Sequence, residues 1–212
     1  MASNEYKITE DFERAVADYT GAPFAIAVDN CSNALFLALT YAGIAGKHIT
    51  IPSRTYMSVP CEIIHAGGKV VFQPGMAEGA YRLFPTMVYD SALRFTADMY
   101  ISGSLMCLSF TGPYKNLKLG KGGMILTDSE HAYGWFKKAR MSGRNEVSYH
   151  NDTFTMLGWN FYMMPEIAAR GLMLMRGFYD MNGQKVNIPD AVVKYPDLSK
   201  FKIYTVDNSI AK

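Results

Sequence analysis

Lys115 stands in "SFTGPYKNLKLG", between a strand-like apolar run and a glycine-rich turn. A lysine held against apolar walls and close to a pyridinium loses hydration, and its amine becomes nucleophilic enough to form a Schiff base. Ser109 opens the same segment with a hydroxyl, and Asp90 ends the apolar run "TMVY". A carboxylate there is expensive to bury alone, so it calls for solvent or for a cationic or hydrogen-bonding partner, of which a protonated pyridine nitrogen is one. Tyr56, in "PSRTYMSV", offers a flat ring for stacking. Asp29, Asn30, Cys31, Ser32 and Asn33 lie between a strand and a helix, where open N–H groups and short polar side chains suit a phosphate. Singly, each has a plain structural explanation: a solvated loop lysine, a turn aspartate, a packing tyrosine, a helix cap. Together, in this order, they describe a site for pyridoxal 5'-phosphate.

Such a site needs a scaffold, and the hydrophobic periodicity supplies one. Residues 8–20 put Ile8, Phe12, Ala15, Val16 and Tyr19 on one helical face, with Gly21 as the stop. "APFAIAVDN" reads as a strand, "CSNALFLALTYAGI" as a buried helix, "HITIP" as a strand, "RTYMSVPCEIIHAG" as a turn and helix, and "KVVFQP" as a strand. Strand candidates follow at 86–91, 104–110 and 122–128, then helices at 129–142, capped by Ser129, and at 163–176. Strands alternating with helices predict an α/β fold with a mostly parallel sheet and helices on both faces. Its ligands belong beyond the carboxyl ends of the strands. The pattern assigns residues 1–177 to one large domain and 178–212, polar and proline-bearing, to a tail or small add-on. Residues 75–80, "GMAEGA", read only as a flexible loop.

Composition narrows the class. A net charge of +2 with no basic tract excludes an obvious nucleic-acid surface and leaves a small anionic ligand open. Cys31, Cys61 and Cys107 lack metal or redox spacing and predict reduced, buried thiols. The N-terminus lacks a signal-like apolar core and no run has the length of a membrane span, so the expectation is a soluble, cytoplasmic protein with no membrane or nucleic-acid partner. The methionine clusters near 156–176 read as core filler, not as metal ligands.

The chain resembles the DegT/StrS group of pyridoxal-phosphate-dependent aminotransferases. The similarity rests on "FERAVADYTGAPFAIAVDNCSNALFLALTYAGI", "ITIPSRTYMSVPCEIIHAGGKVVF", "VYDSA", "LSFTGPYKNLKLGKGGMILTD" and "LGWNFYMMPEIAARGLM". The resemblance implies a type I transferase-like large domain and amino transfer, plausibly from glutamate, to a nucleotide-linked keto sugar. It implies that Lys115 forms the Schiff base and shuttles the proton, that Asp90 holds the pyridine nitrogen protonated, and that Tyr56 stacks on the ring. Cys31 and Ser32 would supply the phosphate turn, Ser109 a further hydroxyl, and Asn160 a contact to the neighbouring subunit's site, hence a homodimer with shared sites.

Departures from the family pattern are expected to matter. Cys31 replaces a turn glycine, so its Cβ could crowd the backbone; Leu93 replaces a polar cofactor contact; Lys121 and Tyr162 replace an acid and an arginine. The loop before Lys115 is one residue longer than the family pattern, which keeps Lys118 and Lys121 open as the reactive amine. The family continues into a C-terminal small domain for which residues 178–212 are short. The alternative reading is a catalytically degenerate relative that binds cofactor or a partner without turnover.

Overall fold

The computed structural model describes residues 6–204. Its strands are β1 (Phe24–Val28), β2 (His48–Arg54), β3 (Lys69–Met76), β4 (Tyr81–Arg82), β5 (Val88–Asp90), β6 (Leu105–Ser109) and β7 (Gly123–Thr127). Its α-helices are α1 (Lys7–Thr20), α2 (Cys31–Tyr41), α3 (Ser58–His65), α4 (Glu130–Ala139) and α5 (Pro165–Met175). A five-stranded sheet has the order β1-β7-β6-β5-β4, and β2 pairs with β3 in a separate parallel ribbon.

Side chains alternate across the main sheet and build two cores. Ile26, Val28, Leu105, Cys107 and Ile125 face α2, α3 and α4. Ala25, Ala27, Met106, Leu108, Met124 and Leu126 face α1 and α5. Strands covered on both sides must be apolar throughout, which is why β1, β6 and β7 read as unbroken apolar runs. Helix α2 is apolar on most of its surface because it lies between the main sheet and α3, with Leu35, Leu37 and Leu39 all buried.

The sheet is mixed, a correction to the expected mostly parallel arrangement. Strands β1 and β6 are both antiparallel to β7, β4 is antiparallel to β5, and within this sheet only β5 and β6 are parallel. The cause is local: β6 and β7 are joined by a loop with no crossover helix, so the chain re-enters the sheet in the opposite direction. The ribbon β2–β3 is linked to the main sheet by one bridge, with Thr50 N–H donating to Phe84 O at 2.8 Å and Phe84 N–H to Thr50 O at 3.2 Å.

Helix α1 ends at Gly21, whose φ of 74° closes the last turn onto the carbonyls of Ala17 and Asp18. Its inward face carries one carboxylate. Glu13 accepts from Ala27 N–H at 2.8 Å, from Lys137 at 3.1 Å and from Arg140, which is 0% exposed and also donates to Ala27 O and Glu146. Lys137 and Glu146 close the cluster at 2.6 Å. The Tyr162 ring lies 5.0 Å from the Arg140 guanidinium and its hydroxyl donates to Thr9, so Tyr162 serves packing between α1 and the segment before α5.

Beyond α5 the chain runs from the end of α1 along the segment that follows β5. Val186 O accepts from Tyr19 at 2.7 Å, Ile188 N–H donates to Thr96 at 2.9 Å, Pro189 O accepts from Asn116 at 3.1 Å, Asp190 pairs with Arg94 at 2.7 Å, and Ala191 N–H donates to Leu93 O at 2.7 Å. Two short 3-10 turns, Leu198–Lys200 and Lys202–Tyr204, bring it beside β2 and α3, where Tyr204 meets Phe72. Residues 205–212, the end of the expected tail, lie outside the described residues. Cys31 and Cys107 are buried free thiols, whereas Cys61, expected buried, is only partly so. No helix among the described residues is long and apolar enough to cross a membrane, and no group of three or more His, Cys, Asp or Glu among them could hold a metal.

Candidate active site

The site lies where α2 begins, at the carboxyl ends of β5 and β6. Asn30 caps α2, its Oδ1 accepting from Asn33 N–H at 2.8 Å, while Asn33 donates to Asp29 at 2.7 Å. The start of β7 presses against this turn: a Cβ on Gly123 would fall 2.4 Å from the Asn30 carbonyl carbon, so only glycine fits there. That contact explains Gly123, while Gly120 and Gly122 before it adopt φ of 83° and 143°. It also brings Ser109, the register partner of Gly123, to the edge of the turn. The Ser109 hydroxyl is engaged locally, accepting from Thr111 N–H at 3.4 Å.

Cys31 opens α2. Its side chain packs onto β6, with Sγ 3.6 Å from Cys107 O, and burial together with the nearby Asp90 pushes its thiol well above the usual range. Ser32 donates to the Ser58 hydroxyl at 2.6 Å, joining the first turns of α2 and α3. The first N–H groups of a helix have no partner within it, so this junction presents two hydroxyls beside open donors.

Asp90 is 4% exposed. Its Oδ1 accepts from Ala92 N–H at 2.9 Å and its Oδ2 from the Tyr81 hydroxyl at 2.9 Å; Thr55 lies 2.6 Å behind Tyr81. Burial raises the Asp90 carboxyl, and the bonds from Ala92 and Tyr81 and the charge of Lys115 pull it back. Lys115 is partly buried and donates through Nζ to Ala92 O. Burial lowers its amine below the usual lysine value, against the pull of Cys31 and Asp90. Lys118 is exposed, and Lys121 reaches out to Asp29 at 3.9 Å. Of the three lysines weighed, the geometry puts Lys115 beside Asp90.

Tyr56 is 48% exposed and meets the tail's Tyr195 edge to face, with ring centroids 6.3 Å apart. Tyr195 is itself pushed up to about 12, first by burial and then by Asp90, Tyr56 and Cys31, so the tail sends a phenol into the same group of residues. Leu93 is buried beneath the tail, its carbonyl bound to Ala191. Asn160 stands apart: it is exposed and its main chain bridges to Met141, next to Phe161, whose carbonyl accepts from Asp29 N–H. Lys115, Asp90 and Cys31 are thus gathered, with Ser32, Ser109 and Tyr56 at the rim. Thr55, Ser58, Tyr81 and Tyr195 were not foreseen from the sequence.

A family model described as the DegT/DnrJ/EryC1/StrS aminotransferase family matches residues 2–85 and 101–193. Asp90 falls between the matched segments, so its place in the site rests on geometry. The spore coat polysaccharide biosynthesis protein SpsC of Bacillus subtilis is 41% identical over 230 aligned positions, covering 84% of this chain and 59% of that protein. Those positions outnumber the residues of this chain that they cover, so SpsC carries residues within the span that are absent here. Among solved structures, AtS13 from Actinomadura melliaura superposes with a TM-score of 0.68 at 16% identity, over 80% of this chain and 59% of its own. Helicobacter pylori PseC, an aminotransferase involved in pseudoaminic acid biosynthesis, gives 0.62 at 14% identity, over 83% and 63%. The chain spans about three-fifths of the length of these relatives, and the two superpositions show that it has their fold.

Proposed function

The chain belongs to the DegT/DnrJ/EryC1/StrS aminotransferase family, and on that premise we propose that it acts in pyridoxal-phosphate-dependent amino transfer from a small donor such as glutamate to a keto sugar, nucleotide-linked in its working form. The observation that carries this reading is the meeting of Lys115 and Asp90 at the head of α2, an amine lowered by burial beside a buried, hydrogen-bonded carboxylate. A sugar acceptor is supported by the family and by the roles of SpsC and PseC.

The residues fit the cofactor chemically. Ser32, Ser58, Ser109 and the first N–H groups of α2 would hold its phosphate, Asp90 its pyridine nitrogen and Tyr56 one face of its ring. When bound, the cofactor supplies an electron sink for the charge left as a bond beside the amine breaks. Lys115, its amine lowered by burial, takes up and returns a proton at Nζ. Asp90, bonded by Ala92 and Tyr81, would keep a proton on the nitrogen it faces. Tyr56 and Tyr195 exclude water from one side. The proposal includes a cytoplasmic homodimer in which the exposed Asn160 reaches the neighbouring copy's phosphate.

The test is borohydride reduction of the protein incubated with pyridoxal phosphate, peptide mapping of the label, and turnover of glutamate with keto-sugar nucleotides. The expected result is label on Lys115 and turnover that disappears in Lys115→Ala. Label on Lys118 or Lys121, or turnover surviving in Lys115→Ala, would overturn the assignment. A second reading, binding without turnover, is favoured by the packing of Tyr195 against Tyr56; label on Lys115 with no turnover selects it.

A further inference from the structure

Tyr81 lies outside every site assignment made from the sequence, yet its hydroxyl is bonded to the carboxylate on which the proposed chemistry turns. Strand β4 pairs antiparallel with β5 so that Tyr81 and Asp90 are direct register partners, side chains on one face. The hydroxyl lies 2.9 Å from Asp90 Oδ2 and 2.6 Å from Thr55 Oγ1, and Thr55 is 1% exposed. A phenol has one proton, and an ionised carboxylate can only accept. Tyr81 therefore donates to Asp90, and Thr55 must donate to Tyr81. The result is a directed chain of hydroxyls from the end of β2 to the end of β5.

We propose that Tyr81, oriented by Thr55, is a positioning residue that keeps Asp90 an aimed anion. The inference rests on the reading of Asp90 as the partner of a protonated nitrogen. Ala92 N–H fixes Oδ1 and Tyr81 fixes Oδ2, so the carboxylate plane is held at both oxygens. A buried carboxylate with one donor fewer is driven toward its neutral form, which cannot hold a proton on a facing base. The other titratable groups near Asp90 are Cys31 on α2, Cys107 on β6, Lys115 in the β6–β7 loop and Tyr195 in the tail. Of these, burial pushes both thiols well above the usual range and raises the phenol, and Lys115 turns its amine to Ala92 O. Tyr81 is the direct side-chain donor.

The test uses the unliganded full chain labelled with 13C at aspartate carboxyls, with the Asp90 signal assigned by its loss in Asp90→Asn. In Tyr81→Phe, which keeps the ring, the Asp90 titration moves up by about one unit, the size of a charge-assisted hydrogen bond. Thr55→Val moves it the same way by less, and Thr55→Ser restores the wild-type value. In parallel, pyridoxal phosphate affinity falls about tenfold in Tyr81→Phe while the borohydride label stays on Lys115. An Asp90 titration unchanged in both Tyr81→Phe and Thr55→Val overturns the proposal. Should Tyr81→Phe fail to fold, the Thr55→Val and Thr55→Ser pair decides the question alone. If the wild-type chain takes up no cofactor, the proposed function fails, and the titration still decides whether Tyr81 governs Asp90.

Discussion

Lys115 and Asp90 are joined through one residue: Lys115 Nζ donates to the carbonyl oxygen of Ala92, and Ala92 N–H donates to Asp90 Oδ1 at 2.9 Å. The amine and the carboxylate therefore share a rigid backbone spacer, which sets their separation and keeps them from collapsing into a direct ion pair. Asp90 still raises the amine's affinity for its proton. In Asp90→Asn, the rate of Lys115 acetylation measured against pH should shift toward lower pH, because burial then acts with less opposition. An unchanged profile would show that the two charges do not sense each other.

The same substitution separates stability from function. Burial raises the Asp90 carboxyl above 3.8, so the folded chain binds that proton more tightly than the unfolded chain. Stability from this group is full below the unfolded value and is lost as pH rises through the folded one. Asp90→Asn should then be more stable in urea unfolding at pH 7, with the gain vanishing in acid. Its affinity for pyridoxal phosphate should collapse. Loss of stability at pH 7 would mean that Tyr81, Ala92 and Lys115 outweigh the burial penalty.

Ser32→Ala tests the junction of α2 and α3. Losing one hydroxyl proposed to hold the phosphate should weaken pyridoxal phosphate binding about tenfold, the worth of a charge-assisted hydrogen bond. Binding of pyridoxal, which lacks the phosphate, should not change. Titration calorimetry with both compounds gives the ratio; equal losses would move the phosphate elsewhere.

Arg140→Met takes from Glu13 and Glu146 the fully buried one of the two cations they share and leaves them Lys137. Breaking a buried pair from one side costs about 3–5 kcal/mol, a large fraction of the stability of a domain this size. Denaturant unfolding should show that loss, and the double variant Glu13→Gln with Arg140→Met should recover part of it.

Tyr195→Ala should speed modification of Lys115 by small acylating reagents severalfold while leaving the melting temperature little changed. The tail's other anchors, Asp190 on Arg94 and Ala191 on Leu93, remain in place. Unchanged modification would show that Tyr195 does not screen the amine.

Much of the scaffold was legible because its strands and helices carry unambiguous patterns: apolar runs at β1, β6 and β7, a capped start at Ser129, a glycine stop at Gly21. Strand direction was less so. The absence of a helical stretch between Ser109 and Gly123 already required β7 to run against β6, but the alternation elsewhere masked it. Asp90 drew notice in the sequence because a charged residue closing an apolar run is costly without a partner, and Lys115 only in company with it and the other residue types in order. Tyr81 was hidden by its short strand, although the turn at Pro85 and Thr86 folds "YRLFPTMVYD" back on itself and sets Tyr81 opposite Asp90. Tyr195 could not be found by any local rule, since its contact with Tyr56 spans most of the chain.

The ribbon β2–β3 meets the main sheet at one strand bridge, and its Ile49 and Ile51, with Val59 and Ile63 of α3, are buried in the same core as α2 and β5. Tyr56 and Ser58 follow β2, while Asp90, Ser32 and Lys115 come from the other elements, so a ligand at the proposed site would be gripped from both sides. Such a ligand works as a rivet: prising the ribbon away would mean opening the shared core and giving up the ligand as well, so binding should raise the temperature at which the chain melts.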